Sequence, residues 1–94
     1  MFPFEEKLLE SNKEYILVER VFSKDLDSEQ LIWHRDKEDR EVILQKGSGW
    51  YIQLDNKLPV LMIKETNYII PKYTWHRIIN KDNTELTIKV RKYK

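Results

Sequence analysis

The segment REVILQKGSGWYIQL, residues 40–54, is the most informative part of this chain. Its two halves, Arg40–Lys46 and Trp50–Leu54, are rich in β-branched and aromatic residues, which is typical of strands. Between them stands Gly47-Ser48-Gly49, and glycine adopts positive φ at no steric cost. Apolar residues alternate with others in Trp50–Leu54, which is the period of strand side chains. This segment therefore predicts two strands separated by a tight turn.

The same pattern extends over most of the chain. Six further strands are predicted: Glu14–Phe22, Gln30–Asp36, Leu58–Ile63, Asn67–Ile70, Thr74–Ile79 and Glu85–Arg91. Polar turn segments separate several of them: Ser23–Glu29, Asp55-Asn56-Lys57 and Lys81-Asp82-Asn83. About eight short strands with turns every 8–12 residues or so predict an all-β sandwich or small barrel.

A short helix is predicted at the N-terminus, within residues 1–13. Pro3 suits the first turn of a helix, and the acidic Glu5 and Glu6 lie near its positive end. Phe4 and Leu8 are four residues apart, so they share one helical face. Residues 14–94 would then form the barrel, in a single domain of 94 residues and 11.5 kDa.

Composition excludes several classes of function. The chain has no cysteine, which excludes disulfides, cysteine zinc sites and thiolate nucleophiles. Seventeen basic residues against sixteen acidic ones give a net charge of +1, so we expect no nucleic-acid partner. The sequence contains no apolar run of the roughly 20 residues that span a bilayer, and no signal peptide, so we expect a cytoplasmic protein outside the membrane.

The two histidines indicate a metal site. His34 and Asp36 point to the same side of one predicted strand, because strand side chains alternate. If His76 comes from a facing strand, the three form a set of two histidines and one carboxylate. Such a set leaves coordination positions open and suits Fe, Mn, Ni or Zn. The alternative is a hydrogen-bonded His34 followed by a turn at Asp36.

The segments around both histidines resemble the two motifs of the cupin superfamily. The first motif is His-x-His, three or four residues, Glu, about six residues, Gly; His34 to Gly47 follows it, with Asp36 in place of the second His. The second is Pro-x-Gly-x-x-His-x-x-x-Asn, and Pro71, His76 and Asn80 match it. Tyr73 replaces its glycine, and Glu65 stands where another glycine is usual. The resemblance implies an RmlC-like jelly roll over residues 14–94, a divalent metal ion and a homodimer.

The glutamate of the first motif has two possible positions. Counting from Asp36 gives Glu41, which would be a fourth metal ligand beside His34, Asp36 and His76. Counting back from Gly47 gives Arg40, which would bind a substrate carboxylate or phosphate. Apolar neighbours on both sides leave the alternatives open.

Other residues are candidates for the substrate pocket. Tyr51 and Gln53 share one face of their predicted strand and are possible polar wall residues, the alternative being an exposed face. Trp33 and Trp75 adjoin the histidines and should therefore point to the opposite side.

These features favour a metal-binding cupin that acts on or senses a small polar metabolite. If it is an enzyme, a dioxygenase, isomerase or lyase is expected; the alternative is a non-catalytic binding module or an interaction protein without metal. The His-x-Asp and distal His pattern also resembles the iron triad of 2-oxoglutarate oxygenases. Those domains are larger and usually carry an arginine about ten residues after the distal histidine, where this chain has Leu86.

Overall fold

The computed structural model describes residues 4–26 and 31–94, and these residues form an all-β structure. Its strands are β1 (Glu5–Ser11), β2 (Tyr15–Phe22), β3 (Arg40–Lys46), β4 (Trp50–Leu54), β5 (Val60–Leu61), β6 (Asn67–Ile70), β7 (His76–Asn80) and β8 (Leu86–Tyr93). The all-β fold class is thereby confirmed. Seven of the eight predicted strands correspond to β2–β8, while β1 lies where the sequence predicts a helix.

The strands form two antiparallel sheets. The larger has five strands in the order β1-β2-β8-β3-β6, and the smaller has three in the order β5-β4-β7. Strand β8 lies at the centre of the larger sheet and pairs with β2 from Tyr93–Tyr15 to Leu86–Phe22. In the smaller sheet, β4 pairs with β7 from Trp50–Asn80 to Leu54–His76. The non-consecutive neighbours in both sheets are typical of a jelly roll.

The hydrophobic core combines residues of both sheets. Alternate residues of β8 are buried, and Leu86 and Val90 are at most 2% exposed. Trp50 of the smaller sheet is fully buried, and its indole Nε1 donates a hydrogen bond to the carbonyl of Thr84 at 2.9 Å. The core therefore joins the two layers and fixes β4 and β7 relative to the larger sheet.

The predicted glycine turn is present and connects the two sheets. Gly47 and Gly49 have φ of 133° and 71°, which side chains rarely adopt. A Cβ at Gly49 would fall 2.2 Å from Oδ2 of Asp82, so the turn also has no space for a side chain. Because β3 belongs to the larger sheet and β4 to the smaller, this turn carries the chain between layers.

The predicted N-terminal helix is wrong. Residues Glu5–Ser11 form β1, which pairs with β2 at the edge of the larger sheet. All seven residues are exposed, so a helix here would have no apolar face to bury, and short isolated helices are marginal in water. Pairing with β2 instead satisfies the backbone, while Phe4 packs on Phe22 with 5.2 Å between ring centroids. Pro3 lies outside the described residues.

Two predicted strands are shorter than expected. Of the described part of Gln30–Asp36, only His34 pairs, in an isolated bridge with His76. Leu58–Ile63 contributes the two residues of β5. Gln30 and residues 27–29 of the predicted turn lie outside the described part of the chain.

Candidate metal centre

The two histidines are held side by side by their backbones. His34 and His76 exchange a pair of backbone hydrogen bonds of 3.0 and 2.8 Å. His76 is the first residue of β7 and is 4% exposed, whereas His34 is exposed as a whole residue. Their rings meet edge to face with 4.2 Å between centroids. The sheet edge therefore brings both imidazoles to one place, as the sequence predicts.

Both imidazoles have the same nitrogen engaged by the backbone. Nδ1 of His76 lies 2.8 Å from the carbonyl oxygen of Thr74, and Nδ1 of His34 lies 3.1 Å from that of Ile32. A carbonyl oxygen only accepts, so each Nδ1 carries the proton and donates it. In the neutral tautomer, Nε2 of each ring is left with a free lone pair, as metal-ligating histidines require.

Asp36 adds a carboxylate to the two imidazoles. Its Oδ1 lies 3.2 Å from a terminal nitrogen of Arg40, and its Oδ2 lies 3.2 Å from Nε2 of His76. Burial alone would raise the pKa of Asp36, but a hydrogen bond from a protonated His76 and then the charge of Arg40 hold that pKa below its ordinary value. When His76 is neutral, Arg40 is the partner that keeps Asp36 ionised. The backbone carbonyl of Asp36 accepts a 2.7 Å hydrogen bond from the amide of Tyr73. Asp36 is thus a positioned carboxylate at neutral pH.

One oxygen of Asp36 is placed to bind a cation. Oδ2 is buried and has no hydrogen-bond partner among the described residues, although it faces Nε2 of His76. Two lone pairs facing each other need either a shared proton or a cation between them. A proton would require only His76 and Asp36, whereas His34 supplies a third ligand atom at the same place.

The three residues form a group that fits a metal ion. One ligand atom from each of His34, Asp36 and His76 lies within 4.8 Å of the others. Two ligands bound about 2.1 Å from one ion lie roughly 3–3.5 Å apart, so the 3.2 Å between His76 and Asp36 matches that spacing. Three protein ligands leave positions open for water or a second molecule.

Glu41, predicted as a possible fourth ligand, lies elsewhere. It alternates with Arg40 and Val42 on β3 and faces the other side of the larger sheet. There its carboxylate accepts hydrogen bonds from Asn67, at 2.9 Å, and from Arg91. It is 8% exposed because β6 and β8 cover it, not because it enters the cavity.

Arg40, the alternative to Glu41, is the residue that reaches the group formed by His34, Asp36 and His76. Its side chain is 13% exposed and binds both Asp36 and Glu38, the latter through Nε at 2.9 Å and a terminal nitrogen at 2.7 Å. With two carboxylates around it, Arg40 holds Asp36 in place. A role for Arg40 in substrate binding stays a prediction.

Tyr51 and Gln53, predicted as pocket residues, lie on the outer face of β4. Lys81 stacks on the Tyr51 ring at 5.7 Å, and Gln53 bonds Arg77 at 2.9 Å. Trp33 also lies on this side, with Arg77 4.8 Å from its ring centroid. These residues are absent from the described wall of the cavity because Trp50 and Ile52 take the inward positions of β4.

A cavity of about 550 Å³ adjoins the three ligands. That volume is within the range of about 300–1,000 Å³ typical of small-molecule sites. His34, Asp36 and His76 line it together with Arg40, Arg20 and a wall of apolar side chains.

Arg20 is the cavity residue that sequence reasoning missed. A signal for it exists: Val18, Arg20 and Phe22 share one face of β2, and Val18 and Phe22 are buried. A charged residue between two inward apolar positions of a strand is a candidate for a binding site.

Two departures from the cupin motifs preserve the backbone of the glycine positions. Tyr73 and Glu65 have φ of 61° and 66°, the left-handed region that glycine adopts most readily. The turn before His76 therefore keeps its conformation without glycine.

Comparison with solved structures supports the fold. No protein-family model and no curated protein matches this sequence. Among solved structures, it is similar to a cupin domain from Bordetella pertussis (17% identity, TM-score 0.71), covering 97% of this chain and 93% of that one. A second is an RmlC-like cupin family protein with a double-stranded β-helix fold from Methanocaldococcus jannaschii (17% identity, TM-score 0.75), covering 99% and 82%.

A third similar structure is the DMSP lyase DddQ from Ruegeria pomeroyi, with 10% identity and a TM-score of 0.83. The match covers 98% of this chain but 47% of the lyase. At such identities the likeness shows the fold alone. In addition, the described residues include no helix long and apolar enough to cross a bilayer. The strand topology and these structures together show that the chain has the fold of a small RmlC-like cupin domain.

Proposed function

We propose that this chain binds one divalent metal ion through His34, Asp36 and His76 and takes a small organic molecule in the cavity beside it. The observation that carries the proposal is the 3.2 Å approach of Nε2 of His76 to Oδ2 of Asp36, a buried oxygen without a hydrogen-bond partner among the described residues. Fe, Mn, Ni and Zn all suit a site of two imidazoles and one carboxylate.

Neighbouring residues of the chain would orient the three metal ligands and keep Asp36 ionised. The backbone carbonyls of Ile32 and Thr74 orient the imidazoles, and Arg40 keeps Asp36 ionised and fixes its position. When bound, a divalent ion supplies Lewis acidity to an oxygen of the organic molecule or of water. The apolar wall limits water in the cavity, which strengthens charge interactions there.

A non-catalytic sensing or binding role uses the same site. Apart from His34, Asp36 and His76, which would hold the ion, the described wall of the cavity carries no imidazole, carboxylate, hydroxyl or amine that would transfer a proton. The DMSP lyase among the similar structures is an enzyme by its name, but it resembles this chain at 10% identity. Metal and ligand binding is therefore the part of the proposal that the geometry supports best.

Metal loading tests the proposal. The metal-free chain is dialysed separately against Mn²⁺, Fe²⁺, Ni²⁺ and Zn²⁺ at neutral pH, and bound metal is measured by mass spectrometry. We expect about one ion per chain for at least one metal, and loss of that ion in His34→Gln and His76→Gln. Circular dichroism of both variants checks that they fold. Absence of binding by all four metals, or full retention in both folded variants, would contradict the proposal.

A further inference from the structure

The wall of the cavity is unsuited to a polar molecule such as a sugar. Hydrocarbon side chains from both sheets form most of it: Phe22, Val42, Ile52, Ile70, Ile78 and Ile88. These groups cannot exchange hydrogen bonds with hydroxyls, so a polyol would lose its bonds to water here without replacement. The body of the ligand should therefore be apolar.

Arg20 gives this apolar cavity a separate charged group. Its side chain lines the cavity from β2, is 13% exposed, and uses Nε to bond Glu6 at 2.8 Å. The guanidinium carbon lies 4.2 Å from the ring centroid of Phe4. Its terminal nitrogens make no hydrogen bond with residues 4–26 or 31–94. Two unengaged terminal NH2 groups on one guanidinium can each donate an N–H to one oxygen of a carboxylate.

The charge around the cavity also favours an anion once metal is present. Three cations (Arg20, Arg40 and Lys92) are balanced by three carboxylates (Glu6, Asp36 and Glu38) through the ion pairs among them. A divalent ion between neutral histidines adds two positive charges to this balanced set. In a low-dielectric cavity, such an excess is best compensated by an anionic ligand.

We infer that the ligand is a carboxylic acid with an apolar body, whose carboxylate is bound by the guanidinium of Arg20. The excess-charge argument rests on the proposed metal function, but the apolar wall and the free nitrogens of Arg20 do not. Arg20 would thus select the class of ligand, while the three metal ligands act on or sense one of its oxygens.

Calorimetric titration with three probes tests the inference on the zinc-loaded protein: octanoate, its neutral analogue octanamide, and glucose. We expect octanoate to bind at least tenfold more tightly than octanamide, and glucose to show no binding. Equal affinity for octanoate and octanamide, or tighter binding of glucose than of octanoate, would overturn the inference. This test needs only the wild-type protein.

Variants then assign the preference to Arg20. Arg20→Gln should weaken octanoate binding about tenfold or more and leave octanamide binding unchanged, which also shows that the cavity is intact. Arg20→Lys should keep part of the preference for octanoate that Arg20→Gln loses, since lysine retains the positive charge but not the paired donors of the guanidinium. The matched control is Arg35→Gln: Arg35 is exposed, lies 5.3 Å from the Trp75 ring centroid and is absent from the cavity wall. Octanoate binding by Arg20→Gln at the level of Arg35→Gln would refute the assignment.

The metal content of the same samples separates the two proposals. Bound zinc without a preference for octanoate contradicts the ligand class and leaves the metal site standing. A preference for octanoate that needs Arg20, in a chain that binds no metal, supports the ligand class and contradicts the metal site.

Discussion

Nε2 of His76 and Oδ2 of Asp36 lie 3.2 Å apart, and neither carries a hydrogen when the imidazole is neutral. The proton of His76 is on Nδ1, where the carbonyl of Thr74 accepts it, and Oδ1 of Asp36 is engaged by Arg40. Thr74 and Arg40 therefore orient His76 and Asp36 through the atoms that face away from each other, so that the free lone pairs of Nε2 and Oδ2 point to the same place. This is the relationship that a metal ion would satisfy.

Asp36 is expected to dominate metal affinity among the charged residues of the site. Asp36→Asn keeps the shape of the side chain but removes the negative charge beside the ion, so zinc should bind about 100-fold or more weakly. Calorimetric titration with zinc measures this. Glu38→Gln is the matched control, since Glu38 also binds Arg40 but is outside the ligand group, and it should change affinity less than tenfold. Equal losses in both variants would show that Asp36 acts only through Arg40.

Glu41 should contribute to stability and not to metal binding. Its carboxylate bonds Asn67 and Arg91 on the far side of β3, so Glu41→Gln weakens a partly buried charged hydrogen bond. We expect the free energy of unfolding to fall by about 1–2 kcal/mol in a urea titration, with zinc affinity unchanged. A loss of zinc binding in this variant would place Glu41 among the ligands after all.

His34 should make the metal-free chain less stable in acid. Loss of hydration at its ring lowers the pKa of His34 below 6.5, although Ile32 and Asp36 act in the opposite direction. Between the lowered value and 6.5 the unfolded chain binds a proton that the folded chain does not, so this contribution to stability falls as pH falls.

The comparison of wild type with His34→Gln isolates that effect. In a chelator, the wild type should lose more stability than the variant between about pH 8 and about pH 5.5, as measured by urea midpoints. The same protonation should release bound metal on acidification. A wild-type chain that gains stability relative to His34→Gln on acidification would contradict the direction of the pKa shift.

Replacing Glu65 with glycine should stabilise the folded chain. Its φ of 66° costs an L-residue about 1–2 kcal/mol, of which part is offset because glycine makes the unfolded chain more flexible. Glu65→Gly should therefore raise the free energy of unfolding by about 0.5–1 kcal/mol. The control, Thr66→Gly, replaces a neighbour without positive φ and should lower it. The opposite order of the two variants in urea titrations would contradict this strain.

Much of the fold follows from local patterns, as the alternation in Trp50–Leu54 and the glycine turn at residues 47–49 illustrate. The N-terminal strand does not follow from local patterns. Phe4 and Leu8 suit a helix, and only the edge of β2 makes a strand preferable. A local sequence window contains no information about which edge is available. For the same reason, Gln30–Asp36 has strand-like residues but only His34 finds a partner within the described part.

The spatial grouping of His34, Asp36 and His76 was predictable because motif spacing and strand alternation agree for these residues. The choice between Arg40 and Glu41 depends on which face of β3 meets the smaller sheet, and both faces are apolar enough to be covered. Arg20 lies on a strand distant in sequence from both motifs, so only the fold places it at the cavity. The homodimer and the cytoplasmic location stay predictions.

The most direct measurement of the central claim is anomalous diffraction from crystals soaked in zinc at neutral pH. We expect one strong peak about 2.0–2.2 Å from Nε2 of both histidines and from an oxygen of Asp36. A crystal with no anomalous zinc peak at these three residues, in which Nε2 of His76 and Oδ2 of Asp36 still lie about 3.2 Å apart, would contradict the account.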